Sequence, residues 1–113
     1  RDFIHSSDVA RGMLLAMEKM PGAPVNLGSG KEVSIKEIVD IIVLNLPVKP
    51  KVVWDTSKPS GDKKRLMDIS RAKALGFEPS VSIKEGIKDV MNWYKANKGI
   101  VNKRYNVFTE KIG

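Results

Sequence analysis

Four cations, Lys58, Lys63, Lys64 and Arg65, crowd one short stretch around Pro59-Ser60-Gly61-Asp62. Basic residues beside a turn, with no helical or strand period running through them, make a place for an anion. The same lysines would also suit a solvated surface. Other arrangements promise less. Tyr94 and Lys98 have the spacing of a tyrosine acid/base and its supporting lysine, but Tyr94 falls on an apolar helical stripe and Lys98 beyond Asn97, where that helix is expected to fray. Core plus surface is the simpler account of that pair. Gly28-x-Gly30 lacks a third glycine, and the next helix starts only at Ser34, too late to offer its amides to a dinucleotide phosphate. His5-Ser6-Ser7-Asp8 sets a histidine, hydroxyls and a carboxylate side by side. Neighbours along a strand face opposite ways, so they cannot form a catalytic triad, and helix capping explains them better. Asp55, Asp62 and Asp68 are scattered through loop sequence without calcium-loop or paired-carboxylate spacing. The chain has no cysteine and one histidine, which excludes disulfides, thiolate catalysis, cysteine zinc sites and multi-histidine metal sites.

The elements that must position these residues can be traced from periodicity and punctuation. Arg1 to His5 reads as a strand. Val9, Met13, Ala16, Met17 and Met20 then lie on one helical face, with N-cap chemistry at Ser6, Ser7 and Asp8 and a stop at Pro21-Gly22. Val25-Asn26-Leu27 reads as a short strand. Ser34-Ile35-Lys36-Glu37 is a capping box that opens a helix along Ile35, Ile38, Val39, Ile42 and Leu46, stopped by Pro47. Lys51 to Trp54 is extended, and Leu66-Met67 is a further short extended piece. A brief helix from Ser70 closes at Gly76. Ser82-Ile83-Lys84-Glu85 repeats the capping box ahead of a long helix with its apolar face at Ile83, Ile87, Val90, Met91 and Tyr94. Trp54 and Trp93 are expected in the core or at an interface. Strands alternating with helices give an α/β class.

The 113 residues, 42% of them hydrophobic and 29% charged, suit one folded domain or part of one. Residues 1–56 carry 7 basic and 7 acidic side chains and residues 57–113 carry 13 and 6, so the net charge of +7 lies wholly in the second half. That excess invites a nucleic-acid reading. The cations are spread over several elements, however, and no aromatics are interleaved with them as stacking platforms, so no nucleic-acid partner is expected. No apolar run is long enough to span a bilayer and the opening residues lack a signal-peptide core, so neither membrane nor export is expected and a cytoplasmic setting fits. Opening at Arg1 directly into a strand-like run suggests an excised piece of a longer protein.

Three ordered segments carry a resemblance: Arg1-Asp2-Phe3-Ile4-His5-x-x-Asp8-Val9-Ala10, Val25-Asn26-Leu27-Gly28-Ser29-Gly30-x-x-x-Ser34, and Asp68-Ile69-Ser70-x-Ala72-x-x-Leu75-Gly76-Phe77-x-Pro79. Together they resemble the C-terminal third of extended short-chain dehydrogenases acting on nucleotide sugars, the NAD-dependent epimerase/dehydratase family. Trp54-Asp55-Thr56-Ser57-Lys58-Pro59-Ser60-Gly61 and Arg65-Leu66-Met67-Asp68 look most like its GDP-L-fucose synthase branch. UDP- or dTDP-sugar epimerases and dehydratases are the alternative, because they share the Arg-Asp-Phe-Ile-His segment.

The resemblance implies a C-terminal substrate-binding region over residues 1–97, a tail over residues 98–113, and an incomplete nucleotide-binding sheet of Rossmann type. It implies that Arg1 and Arg65 contact the diphosphate of a GDP-sugar, and that Trp54 and Lys58 line the nucleotide pocket. A guanidinium suits that task, being permanently charged and able to grip two phosphate oxygens at once. A plain ion pair of Arg65 with Asp62 or Asp68 is the competing role. The family's glycine-rich cofactor loop and its catalytic Tyr-x-x-x-Lys lie upstream of the matching segments. NADP or NAD is therefore expected in the full-length enzyme and neither on this chain, which is expected to be inactive alone. Uncovered sheet edges would favour a homodimer or segment-swapped self-association.

Overall fold

In the computed structural model, residues 1–59 and 61–101 are described, and they form four helices: α1 (Ser6–Lys19), α2 (Ile35–Leu44), α3 (Ser70–Ala74) and α4 (Ile83–Val101). The helices follow the sequence punctuation closely. At α2 the Ser34 hydroxyl accepts from the Glu37 amide at 3.1 Å, and the Glu37 carboxylate accepts from the Ser34 amide at 2.8 Å. Ser82 and Glu85 make the same reciprocal pair ahead of α4, at 3.1 and 3.2 Å. Each box satisfies amides that the first helical turn would leave without partners. At the end of α3, Gly76 adopts φ +94°, and the amides of Gly76 and Phe77 close back on the carbonyls of Lys73 and Ala72. That pair of bonds is a Schellman cap, which favours glycine because of its left-handed residue.

Three expectations need correction. First, the expected strands do not form, and no incomplete sheet is seen among the described residues. The β pairing there is an isolated antiparallel bridge between Asp2 and Glu32, flanked by reciprocal backbone bonds between Arg1 and Val33 of 2.8 and 2.9 Å. Residues 25–27 and 51–54 run without a ladder. A strand exists only where a neighbour accepts its hydrogen bonds, and β-prone side chains cannot substitute for that neighbour.

Second, α1 is capped by His5 rather than by Ser6, Ser7 or Asp8: its imidazole Nδ1 accepts from the Ser7 amide, and the Ser7 hydroxyl lies 2.7 Å from the same nitrogen. Third, α4 runs past Asn97 to Val101, so the first residues of the expected tail are helical; residues 102–113 lie outside the described residues. Lys98 in the last turn complements the carbonyl end of the helix dipole. Neither Trp54 nor Trp93 is buried here, and Tyr94 is nearly half-exposed.

The core is small. Ile69, Ala72 and Phe77 are buried, with Ile4, Leu15, Val25 and Leu27 packed around them. Helix α1 meets this cluster at Gly12, where a Cβ would come within 2.6 Å of Leu27 and 2.9 Å of the Phe77 ring. Helices α2 and α4 pack on each other, and with the opening segment they line a half-open apolar pocket of about 280 Å³ whose walls include Ile38, Ile42, Ile87 and Met91.

Among the described residues, one carboxylate is fully buried. Asp8, in the first turn of α1, accepts from the Ser80 amide at 3.1 Å, the Ser80 hydroxyl at 3.1 Å, the Val81 amide at 3.0 Å and the Arg11 guanidinium. It ties α1 to the segment leading into α4. Burial pushes its pKa up, but Arg11 and the Ser80 and Val81 donors outweigh burial and hold it at about 2. No helix among the described residues is long and apolar enough to cross a membrane.

Candidate functional site

The Asp2–Glu32 bridge brings the opening of the chain against residues 28–33, and the stretch leading into α3 closes over the same point. Asp2 is the node. Its carboxylate accepts from the Ser29 amide at 2.8 Å, the Ser29 hydroxyl at 2.6 Å, the Gly30 amide at 3.2 Å and the Met67 amide at 3.3 Å. Partial burial works against its charge, yet the Ser29, Met67 and Gly30 donors together hold its pKa below the ordinary carboxylate value.

The glycines beside this node serve close packing. A Cβ on Gly28 would lie 2.8 Å from the Asp2 carboxylate and 3.1 Å from Met67, and one on Gly30, whose φ is +65°, would meet Ile69 at 2.7 Å. Their surroundings are occupied by Asp2 and the core, so this glycine pair does not form a phosphate cradle for a dinucleotide.

Arg1 immediately precedes Asp2, and Arg65 stands two residues before Met67. Arg1 donates from Nη1 to the Asp62 carbonyl at 2.5 Å, while Arg65 Nε lies 3.7 Å from the Asp62 carboxylate. Gly61 leaves room for this approach, since a Cβ there would come within 3.0 Å of Arg1 Nη2. The two arginines singled out in the sequence thus converge on one residue of the basic loop. Asp62 is the acidic neighbour of Arg65; Asp68 turns instead to the Ser70 amide at 2.9 Å.

Lys64 is engaged by Glu32 at 2.8 Å, and that bond holds the exposed Glu32 carboxyl below its ordinary pKa. Trp54 is 51% exposed and Lys58 is exposed. Among the described residues, no hydrogen bond or ion pair joins either of them to the arginines.

Two residues central to this geometry carried no separate signal. Asp2 stands inside the opening motif, but nothing in its spacing marks it as the acceptor for residues 29, 30 and 67. Asp62 is visible in sequence only as a possible partner of Arg65. Away from the site, His5 Nε2 lies 3.2 Å from the exposed Asp89 carboxylate, so the histidine that caps α1 also reaches α4.

No family model matches the chain. Among curated proteins it is similar to GDP-L-fucose synthase 1 of Arabidopsis thaliana, 35% identical over 98 residues, which are 86% of this chain and 30% of that protein. It is similar also to UDP-glucuronate 4-epimerase of Thermodesulfobacterium geofontis, 36% identical over 99 residues, 86% of this chain and 31% of that one. Among solved structures it is similar to the Bordetella bronchiseptica enzyme WbmF in complex with NADH, with a TM-score of 0.62 and 30% identity over 91% of this chain and 31% of that one. The chain spans about 30% of the length of the curated relatives it matches. It matches GDP-L-fucose synthases and UDP-sugar epimerases as the C-terminal part of a chain with the NAD-dependent epimerase fold.

Proposed function

We propose that this chain supplies the diphosphate-gripping part of a nucleotide-sugar epimerase or reductase, with a GDP-sugar as its preferred ligand. Arg1 and Arg65 are the grip, and Trp54 and Lys58 form an outer wall of the nucleotide pocket. The observation that carries this reading is the meeting of the two arginines at Asp62, although Arg1 is far from Arg65 in sequence. Each offers a forked, permanently charged donor to phosphate oxygens. NADP or NAD would bind the upstream part of the longer enzyme, where hydride and proton transfer also belong. This chain contributes remote binding energy that positions the sugar for that chemistry. A cytoplasmic setting suits a cysteine-free chain with this task.

Calorimetric titration with GDP, UDP and dTDP, at low and moderate salt, tests the reading. Selective GDP binding is expected, and Arg65→Ala should weaken it by about 10- to 100-fold, the effect of losing a charge-assisted hydrogen bond. Equal binding of all three, or binding indifferent to Arg65→Ala, would remove the assignment. A preference for UDP would move the chain to the UDP-sugar reading, which the similarity to a UDP-glucuronate 4-epimerase favours.

The chain is also proposed to self-associate. Met13, Met17 and Met20 line one side of α1 and its cap, between 59% and 79% exposed. Apolar surface gathered in this way favours a partner. Light scattering should report a dimer or larger species; a monodisperse particle of 12.5 kDa would refute self-association.

A further inference from the structure

We infer that Asp62 is an internal competitor for the diphosphate: its carboxylate holds the place beside Arg65 that a phosphate takes when ligand binds. The inference rests on the diphosphate reading above and concerns how that same site is regulated. Asp62 meets the two arginines in different ways. Arg1 is bound to its backbone carbonyl, which carries no net charge, whereas Arg65 faces its carboxylate. A ligand that neutralises Arg65 must therefore displace the Asp62 side chain or bind beside it against like-charge repulsion. The Arg1 contact can persist, because it depends on the position of the backbone.

The Arg65–Asp62 contact is loose enough to exchange. Its 3.7 Å separation is too long for a good hydrogen bond, and the side chains are 78% and 65% exposed, so solvent screens it heavily. Such a pair contributes little to folding, yet it still lowers the positive potential that an arriving phosphate meets. The neighbouring pair differs: Lys64 and Glu32 approach to 2.8 Å, a true hydrogen-bonded ion pair, and involve neither arginine. Asp62 is the carboxylate whose charge bears on Arg65.

A selection by ligand charge follows. A weakly charged anion gains less from Arg65 while the Asp62 carboxylate lowers the potential there. A diphosphate carries more charge and more acceptor oxygens, so it can displace Asp62 and still satisfy Arg1.

Calorimetry with GDP and with GMP tests this on the wild-type chain, Asp62→Asn and Asp40→Asn. Asp40 pairs with Lys36 on α2 at 2.7 Å, so its substitution makes the same change in net charge at a different place. Asp62→Asn is expected to bind GDP about two- to fivefold more tightly than wild type, in line with an exposed ion pair, and to narrow the preference for GDP over GMP. The gain should shrink as added salt shortens the screening length. Asp40→Asn should leave both affinities unchanged. Equal tightening by the two variants would reduce the effect to net charge and overturn the role of Asp62. Unchanged or weaker binding by Asp62→Asn, with wild type still binding GDP through Arg65, would overturn it while leaving the proposed function standing. Absence of GDP binding in every variant would instead remove the diphosphate reading on which this rests.

Discussion

Asp8→Ala is expected to destabilise the chain by about 3 kcal/mol in urea denaturation at neutral pH. The substitution removes the acceptor for the Ser80 and Val81 amides and the Ser80 hydroxyl, and leaves the Arg11 guanidinium without its fully buried partner. Asp8 is fully buried while Arg11 is 52% exposed, so the cost comes chiefly from several hydrogen bonds lost to one charged acceptor rather than from a stranded cation. The pH dependence has a definite sign. The folded pKa of about 2 lies below the ordinary 3.8, so the unfolded chain binds the proton more readily. The stabilisation is therefore fully present above about pH 4 and is lost as pH falls through about 2, with a size on the order of 2 kcal/mol. Asp8→Asn should flatten that acid limb. An Asp8→Asn stability curve that still falls with acid as steeply as wild type would show that other carboxylates carry the effect.

Phe77→Ala is the second large effect, at about 3 kcal/mol or more. Phe77 is 4% exposed, and in so small a core its ring also meets α1 at Gly12. Its loss opens a cavity that neither Ile69 nor Ala72 can refill. Phe77→Leu should recover most of the stability, since it restores apolar volume without altering the Schellman cap, whose bonds run through the backbone. Equal losses for alanine and leucine would point to the turn rather than the ring. Thermal and urea unfolding of the two variants, compared side by side, separates these outcomes.

The helices were readable because their signals are local. Ser34 with Glu37, Ser82 with Glu85, and Gly76 after α3 are three- or four-residue statements that need nothing from the rest of the chain. The strands failed for the opposite reason: Val25 to Leu27 and Lys51 to Trp54 have strand-like residues, but a ladder requires another segment, and pairing is not written in either one. His5, rather than Ser6, Ser7 or Asp8, is the N-cap: its ring nitrogen reaches the Ser7 amide while its other nitrogen faces Asp89, a residue distant in sequence. At the site, resemblance rather than periodicity picked out Arg1 and Arg65. Their common neighbour Asp62 and the Asp2 node arise from tertiary contacts between segments that have no shared pattern. Asp8 is the same case in the interior, a carboxylate that reads as a helix cap and serves instead as a bridge to residues 80 and 81.

If Arg1 and Arg65 grip a diphosphate as proposed, Asp2 would make the two arginines behave as one bivalent receptor. Arg1 is its immediate neighbour, and Arg65 stands two residues before the Met67 amide that Asp2 holds. Once one guanidinium engages a phosphate, the second contact forms within the same molecule, at an effective concentration set by how tightly Asp2 joins the two arms. In the proposed site, avidity would thus be governed by a carboxylate that touches neither arginine's guanidinium. Loosening the Asp2 hinge would leave each arm able to bind and yet lose the multiplication that comes from binding together.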